Sequence, residues 1–236
     1  RASRLAVLVR PPRGTWIRLP HPPAPGGPDL DVAVAGDRSG RPVIAWTRVT
    51  AGGGAALWTS TFEDGAWTTP RRLDQGPRSS WFGPLTAATT RDGVVVAWTR
   101  WQREWTRVVV RAAAADGPAR TLDEFGIPDI RGPAGTTTSA GPPPTRVVLG
   151  AGDDPVAMWD RLVQRDPAPA SELVVVRARG ESWETPEPVH DEPVSGWPLA
   201  VGATGDGTVA TWAEYASPDR GGLRVVAAER PGRPNR

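Results

Sequence analysis

The chain has 236 residues with a formal net charge of only +2, and its 28 basic residues are all arginine. The absence of lysine excludes Schiff-base and P-loop chemistry, and the absence of cysteine excludes thiol nucleophiles, disulfides and thiolate metal sites. Because the charge is small and no basic stripe is present, nucleic-acid binding is not predicted. No apolar stretch reaches the length of about 18 residues that a membrane span needs.

The first predicted elements are two short strands in residues 4–19. Apolar runs at 5–10 and 15–19 are separated by a turn that contains proline and glycine. Runs of this length bounded by such residues are typical of β-strands. A longer unit follows at residues 29–73, where Leu30, Val32 and Val34 alternate with smaller or polar residues, the period of a half-buried strand.

Three more strands are predicted in this second unit, at residues 43–49, 57–62 and 67–73. Turns rich in Gly and Asp separate them. We label the four strands A, B, C and D. Four antiparallel strands in about 50 residues are typical of one β-propeller blade. The two leading strands match strands C and D of such a unit, with Trp16 at the position of Trp67.

The same unit recurs along the chain with a period of about 52 residues. Further copies are predicted at residues 85–122, 146–189 and 199–230, and the last copy has only three strands. Each strand B carries a tryptophan at the same place, and these residues are Trp46, Trp98, Trp159 and Trp212. Because each lies in the middle of an apolar strand, these tryptophans are predicted to form the core where blades pack face to face. The sequence therefore predicts an all-β protein, a single β-propeller array over residues 1–236 with about four to five blades present.

The predicted strand count leaves two interpretations of completeness open. The predicted units are two leading strands, three whole blades and a blade of three strands. They form either a small ring that contains one two-stranded unit or a part of a longer propeller. The second interpretation is favoured, because closing the last blade with an amino-terminal strand would leave one strand over. A partial ring would also expose apolar blade faces and strand edges.

A ligand site is predicted at one end of the blades. In a four-stranded blade the B–C and D–A connections lie at the same end, and the D–A connections here are long, at residues 20–29, 74–84, 123–144 and 190–198. The A–B and C–D turns are short. Long loops on a rigid scaffold commonly carry recognition residues.

Polar and aromatic residues concentrate at this predicted loop-rich end. Three arginines and one glutamate follow the strand-B tryptophans by two positions and share their strand face. Three arginines at one mouth would bind a carboxylate or sulfate, and neighbouring rings would stack on a sugar. The alternative is that each arginine stem packs on its tryptophan with its charged head in solvent. The candidate ligand-face residues are Arg48, Arg100, Arg161, Glu214, Tyr215, Trp81, Trp101 and Trp197.

No catalytic, metal or cofactor site is predicted from the residues alone. His190 is followed by Asp191 and Glu192, but one histidine beside two acids in a loop is a weak signal. The predicted partner is a glycan or a protein, and the oligomeric state is left open.

The turns that precede strand D carry a family resemblance. Gly65-Ala66-Trp67 with Pro70, and the segment from Gly180 to Trp183 with Pro186, resemble the repeats of sialidase-like propellers with a degenerate Asp-box. The pattern is similar to that of secreted repeat proteins of actinobacteria. The resemblance implies a six- or seven-bladed ring in full-length relatives and an extracellular or cell-surface setting.

The chain departs from the sialidase pattern at several positions. Only one residue separates Gly65 from Trp67, and Ala119 stands where the tryptophan is expected after Gly117. Sialidases pair a tyrosine nucleophile with a glutamate, but Tyr215 is the only tyrosine here and its neighbour Glu214 falls on the opposite strand face.

Three functional hypotheses follow. The favoured one is a non-catalytic propeller domain that binds a glycan or protein through its loop-rich end. The second is a sialidase-like glycoside hydrolase that uses Tyr215, Glu214 and the three arginines. The third is a purely structural repeat within a larger protein.

Overall fold

The structure is a computed structural model and describes residues 5–10, 13–23, 29–78, 80–102, 107–127, 146–163, 170–180, 182–190, 196–204, 207–215 and 223–230. Every regular element in these residues is a β-strand, which confirms the predicted all-β architecture. None of the described residues forms a helix that is long and apolar enough to cross a membrane.

Two short strands pair first, and a larger antiparallel sheet follows. Strands β1 (Leu8–Val9) and β2 (Ile17–Arg18) form a two-stranded antiparallel sheet. Sheet one then consists of β3 (Asp29–Gly36), β4 (Pro42–Val49), β5 (Ala55–Glu63), β6 (Ala66–Trp67) and β7 (Arg71–Gln75). Its order is β3-β4-β5, and both β6 and β7 pair with β5.

The fourth strand of sheet one is divided, whereas the sequence predicts one continuous strand at 67–73. Pro70 lies in the gap between β6 and β7 and has no N–H to donate to the ladder. The hydroxyl of Thr68 accepts a hydrogen bond from the Thr61 amide at 3.0 Å, so a side chain takes over part of the pairing there.

Sheet two contains a strand that the sequence does not predict. It consists of β8 (Trp81–Phe82), β9 (Thr86–Thr90), β10 (Gly93–Gln102), β11 (Arg107–Ala114) and β12 (Arg120–Gly126). Both β8 and β9 pair with β10, one after the other along the edge opposite β11. Part of the long D–A connection therefore extends the sheet instead of forming an irregular loop.

Sheets three and four complete the series. Sheet three consists of β13 (Val147–Gly150), β14 (Val156–Val163), β15 (Ala170–Arg179), β16 (Ser182–Trp183) and β17 (Glu187–Pro188). Sheet four consists of β18 (Gly196–Thr204), β19 (Gly207–Tyr215) and β20 (Leu223–Arg230). In the part of the chain that the structure describes, sheet four has three strands, and residues 231–236, which follow its predicted third strand, lie outside that part.

The first full strands of successive sheets lie side by side. β3 contacts β9, β9 contacts β13, and β13 contacts β18. The sheets therefore follow one another with their first strands on the inside, as the blades of a β-propeller do. Sheets three and four approach each other closely, since a Cβ atom on Gly150 would lie 2.3 Å from the carbonyl oxygen of Val201.

The repeated tryptophans form the core between the sheets. Trp46, Trp98, Trp159 and Trp212 are at most 2% exposed. Each of the last three packs against the preceding sheet, for example Trp98 in one cluster with Leu57 and Leu73. Trp46 packs with Val7 beside the amino-terminal pair of strands. The predicted core role of these residues is confirmed, whereas Trp16 is 63% exposed although its predicted counterpart Trp67 is buried.

The first strand of sheet one differs from its counterparts in exposure. Val32 pairs with Trp46 and is 40% exposed, whereas Val147 pairs with Trp159 and is 1% exposed. Leu30 and Val34 on the same strand are also exposed. No sheet among the described residues covers this strand as sheet two covers Val147.

Candidate functional site

The arginine that follows Trp98 belongs to a buried cluster between sheets one and two. Asp74, in β7 of sheet one, is 7% exposed. Its carboxylate accepts a hydrogen bond from the Trp98 indole at 3.0 Å and one from Arg100 at 2.7 Å. Arg111 forms a third contact with Asp74 at 2.8 Å and lies over the Trp98 ring. Burial lowers the pKa of the Arg100 guanidinium, and the charge of Asp74 opposes that shift.

The same arrangement recurs between sheets two and three. Asp123, in β12, accepts hydrogen bonds from the Trp159 indole at 3.1 Å and from Arg161 at 3.2 Å. Arg161 also donates to Glu172 on the neighbouring strand at 2.6 Å. A tryptophan, an arginine two positions later and an aspartate of the preceding sheet thus form a repeated inter-sheet cluster.

Sheet four has the opposite arrangement of charge. Glu214 stands two positions after Trp212, where the other sheets have arginine, and it accepts the indole hydrogen bond itself at 3.0 Å. Its second oxygen accepts from Arg224 at 2.5 Å. The hydrogen bond from Trp212 lowers the pKa of Glu214, the nearby Arg224 and His190 lower it further, and burial opposes them.

The aspartates of these clusters are the residues that sequence reasoning missed. Both follow the last leucine of a strand D, in the pairs Leu73-Asp74 and Leu122-Asp123, and this repeat was the available signal. Arg48, the remaining predicted arginine, is 6% exposed and is also engaged in an interaction with its surroundings. The arginine heads are therefore neither in bulk solvent nor merely packed on tryptophan; at least two of them are bound by carboxylates.

Two of the predicted aromatic residues lie opposite each other in sheet two. Trp81 in β8 pairs with Trp101 in β10. Trp101 is 5% exposed and its indole donates to the Thr99 hydroxyl at 3.3 Å, whereas Trp81 is 50% exposed. Because β8 lies on the first-strand edge of the sheet, Trp81 is at the inner edge, at the end where β10 passes into the B–C connection.

The other two aromatic candidates are described only by their backbone. Trp197 lies in β18 opposite Ala213, and Tyr215 lies at the end of β19 opposite Leu223. Trp197 is therefore also on an inner-edge strand, at the end where the predicted long connections lie. Much of these connections, including residues 128–145 and 191–195, falls outside the described residues.

Asp160 is a buried carboxyl group that the sequence does not single out. It is 6% exposed and accepts a hydrogen bond from the Arg146 amide at 3.1 Å. Burial raises the pKa of Asp160 to about 6, although that hydrogen bond acts in the opposite direction. Within the described residues, no group of three or more His, Asp or Glu side chains is arranged to hold a metal ion.

Comparison with known proteins gives structural but no sequence matches. No protein-family model matches this chain, and no curated protein matches it. A GH93 alpha-L-arabinofuranosidase of Fusarium graminearum, solved with arabinobiose, has a TM-score of 0.44 and 9% identity over 86% of this chain and 66% of its own. A PL25 ulvan lyase has a TM-score of 0.43 and 10% identity over 89% of this chain and 57% of its own.

A lectin of Aleuria aurantia is also similar. A mutant of it bound to Fucalpha1-6GlcNAc has a TM-score of 0.42 and 17% identity, over 99% of this chain and 74% of its own. The chain thus spans less than two thirds of the length of the arabinofuranosidase and of the lyase.

Proposed function

We propose that this chain is a non-catalytic β-propeller domain that binds a glycan through the end where its B–C and D–A connections lie. The observation that supports the proposal is Trp81, a half-exposed indole on the inner edge of sheet two. An indole presents a flat apolar face and an N–H donor together, which suits a sugar ring with one apolar face and hydroxyl groups at its rim.

The position of Trp81 makes it more than a scattered surface residue. Its strand is short, lies beyond β9 and extends the inner edge toward the mouth of the array. Trp197 lies on the corresponding strand of sheet four, near the same end. A ligand at this mouth would meet the exposed indole of Trp81, and small-molecule sites typically combine such an apolar surface with a few polar groups.

The arginines enter the proposal as fixed donors. Asp74 holds Arg100 and Asp123 holds Arg161, so their guanidinium groups are oriented before any ligand arrives. Groups held in this way lose little conformational freedom on binding. Tyr215, Glu214 and Arg48 complete the proposed ligand face.

The first prediction concerns Trp81. We expect Trp81→Ala to weaken binding of the best oligosaccharide from a glycan array by about tenfold, since burying about 60 Å² of apolar surface at about 25 cal/mol per Å² contributes about 1.5 kcal/mol. The matched control is Trp16→Ala, which removes another exposed indole just before the second strand of the amino-terminal pair. Titration calorimetry of the two variants measures the difference.

Three outcomes would count against this proposal. Equal loss of affinity in both variants would show that Trp81 has no special role. If the domain bound a protein but no glycan, a protein partner would be favoured. Release of a reducing sugar from the same oligosaccharides would favour the sialidase-like hydrolase, although both carboxylate oxygens of Glu214 already accept hydrogen bonds from Trp212 and Arg224.

The cellular setting belongs to the same proposal. The resemblance to secreted repeat propellers supports an extracellular or cell-surface location, where glycans are accessible. The purely structural role is the remaining alternative, and a complete lack of glycan binding would favour it.

A further inference from the structure

A groove opens between sheets two and three at the end opposite the proposed glycan site, where the short A–B and C–D turns lie. Its volume is about 400 Å³, within the range of small-molecule sites. The floor is apolar and consists largely of Ala112, Ala113 and Val94. One wall is formed by Trp183 and Ala178 of sheet three.

Trp183 forms a partly exposed wall of this groove. It packs against the cluster of Val110 and Leu122 yet keeps part of its ring exposed. Its indole N–H donates no hydrogen bond to the described residues, in contrast to those of Trp98 and Trp159. An aromatic face beside an apolar floor is able to hold the apolar body or the cationic group of a ligand.

The rim of the groove carries two carboxylates of sheet two. Asp92 lies in the turn before β10, and Asp116 lies in the turn after β11. Both residues also line a second groove of about 350 Å³ between sheets one and two. Within the part of the chain that is described, neither carboxylate has a hydrogen bond or an ion pair.

The corresponding acids of sheet one are neutralised. Arg41 donates to Asp37 at 2.7 Å and to Glu63 at 2.7 Å. The Arg41 guanidinium therefore lies between the two turns of sheet one and binds an acid of each turn. The corresponding turn of sheet two is shorter and has no equivalent of Arg41. Arg91 precedes Asp92 in that turn, but it is exposed and forms no ion pair with the described residues.

Acids at the turn end of sheet three are also paired with arginines, as they are in sheet one. Arg38 forms an ion pair with Asp153, and Arg179 forms one with Glu184. The turn end of sheet two is therefore distinct from both of its neighbours. A third carboxylate of the groove between sheets two and three, that of Asp153, is occupied by Arg38. Arg120 is the one guanidinium among the residues that line this groove, so the two unpaired carboxylates outnumber it.

We propose that this groove binds a small organic cation, an ammonium group on a short apolar body. The ammonium group would lie by Asp92 and Asp116, and the apolar body would lie against Trp183 and the alanine floor. Charge alone does not carry the proposal, because the unpaired carboxylates coincide with a cavity and an aromatic wall. The site is separate from the proposed glycan site and does not depend on it.

The test uses two ligands of the same shape that differ in charge. We expect n-butylammonium to bind with a dissociation constant of about 1–10 mM and to shift the Trp183 indole resonance in an NMR titration, whereas n-butanol should not bind measurably. Binding should weaken as salt is raised, because the attraction is electrostatic.

The matched variants are the pair Asp92→Asn with Asp116→Asn, and Asp64→Asn as the control. Asp64 is an acidic turn residue of sheet one that lines neither groove, so its change removes a charge of the same kind elsewhere. The double variant should lower the affinity at least tenfold and the control should leave it unchanged.

Each outcome of these titrations either supports or overturns the proposed cation site. Loss of binding in the double variant but not in the control supports it. Equal binding of n-butanol, an unchanged affinity in the double variant, or no binding of n-butylammonium at about 10 mM would overturn it. Glucosamine and N-acetylglucosamine serve as a second pair, and preference for the neutral sugar would show that the groove recognises hydroxyl groups instead of a cation.

Discussion

At the scale of single residues, a carboxylate binds both the repeated tryptophan and the arginine that follows it, and so fixes the position of their polar groups. The sequence places Arg100 and Arg161 on the same strand face as their tryptophans, and the structure agrees. Their acidic partners, Asp74 and Asp123, could not be paired with them from one sequence, because they belong to the preceding sheet and lie more than 20 positions away. Strand periodicity predicts which face a side chain occupies, but not which residue faces it across a sheet interface.

The residue-scale prediction concerns Asp160. Its folded-state pKa of about 6 lies above the ordinary value of 3.8, so folding favours the protonated acid. Its stabilising contribution is complete below about pH 4, declines as the pH rises toward 6, and is absent above that range. Asp160→Asn removes the ionisable proton while its amide oxygen still accepts from the Arg146 amide. We expect the variant to be more stable than the parent at about pH 7.5, by about 1–3 kcal/mol.

Urea denaturation at a series of pH values measures this effect. The two proteins should differ least near pH 4 and most above pH 6. Parallel stability curves across this interval would mean that Asp160 is not the group that titrates there.

At the scale of elements, the strands were largely predictable and their interruptions were not. Alternating apolar residues and Gly/Asp turns locate the four strands of each unit, because each strand has one buried face. The break at Pro70 and the extra strand β8 escaped prediction for different reasons. The first depends on one missing N–H, and the second on the pairing of a connection with an edge that the chain has already formed.

The prediction at this scale concerns the close contact of β13 and β18. A Cβ on Gly150 would lie 2.3 Å from the Val201 carbonyl oxygen and 2.9 Å from the Gly202 Cα, which are backbone atoms that cannot rotate away. We expect Gly150→Ala to separate the two strands and to lower the free energy of unfolding by about 1–3 kcal/mol.

Gly202→Ala is the matched control, since a Cβ there meets nothing within 4 Å. Its stability should stay within about 0.5 kcal/mol of the parent. The same denaturation midpoint for both variants would contradict the close approach of these strands.

At the scale of the whole molecule, the sheets are joined by buried charge as well as by apolar packing. Asp74 belongs to sheet one and binds three side chains of sheet two. Asp74→Ala would leave Arg100 and Arg111 as poorly compensated buried cations. We expect a loss of about 3–5 kcal/mol in the free energy of unfolding, the usual effect of removing one partner of a buried ion pair.

Asp92→Ala is the control for this prediction, because Asp92 is exposed and has no partner among the described residues. It should change the stability by no more than about 0.5 kcal/mol. Chemical denaturation followed by circular dichroism compares the two variants, and a small effect of Asp74→Ala would show that the inter-sheet cluster contributes little.

Because the charge is reversed in sheet four, the arrangement of charged side chains differs at each boundary between neighbouring sheets. Near-copies of one unit in a single chain are prone to dock in the wrong order while the chain folds. One boundary joins Asp74 to two arginines, the next joins Asp123 to an arginine that also binds Glu172, and at the last one Glu214 takes the arginine's position. If sheet four docked on sheet one, Glu214 would meet Asp74, and two like charges would be brought together in a buried site. Electrostatic repulsion of this kind would disfavour docking of sheet four on sheet one and so favour the native order of the sheets.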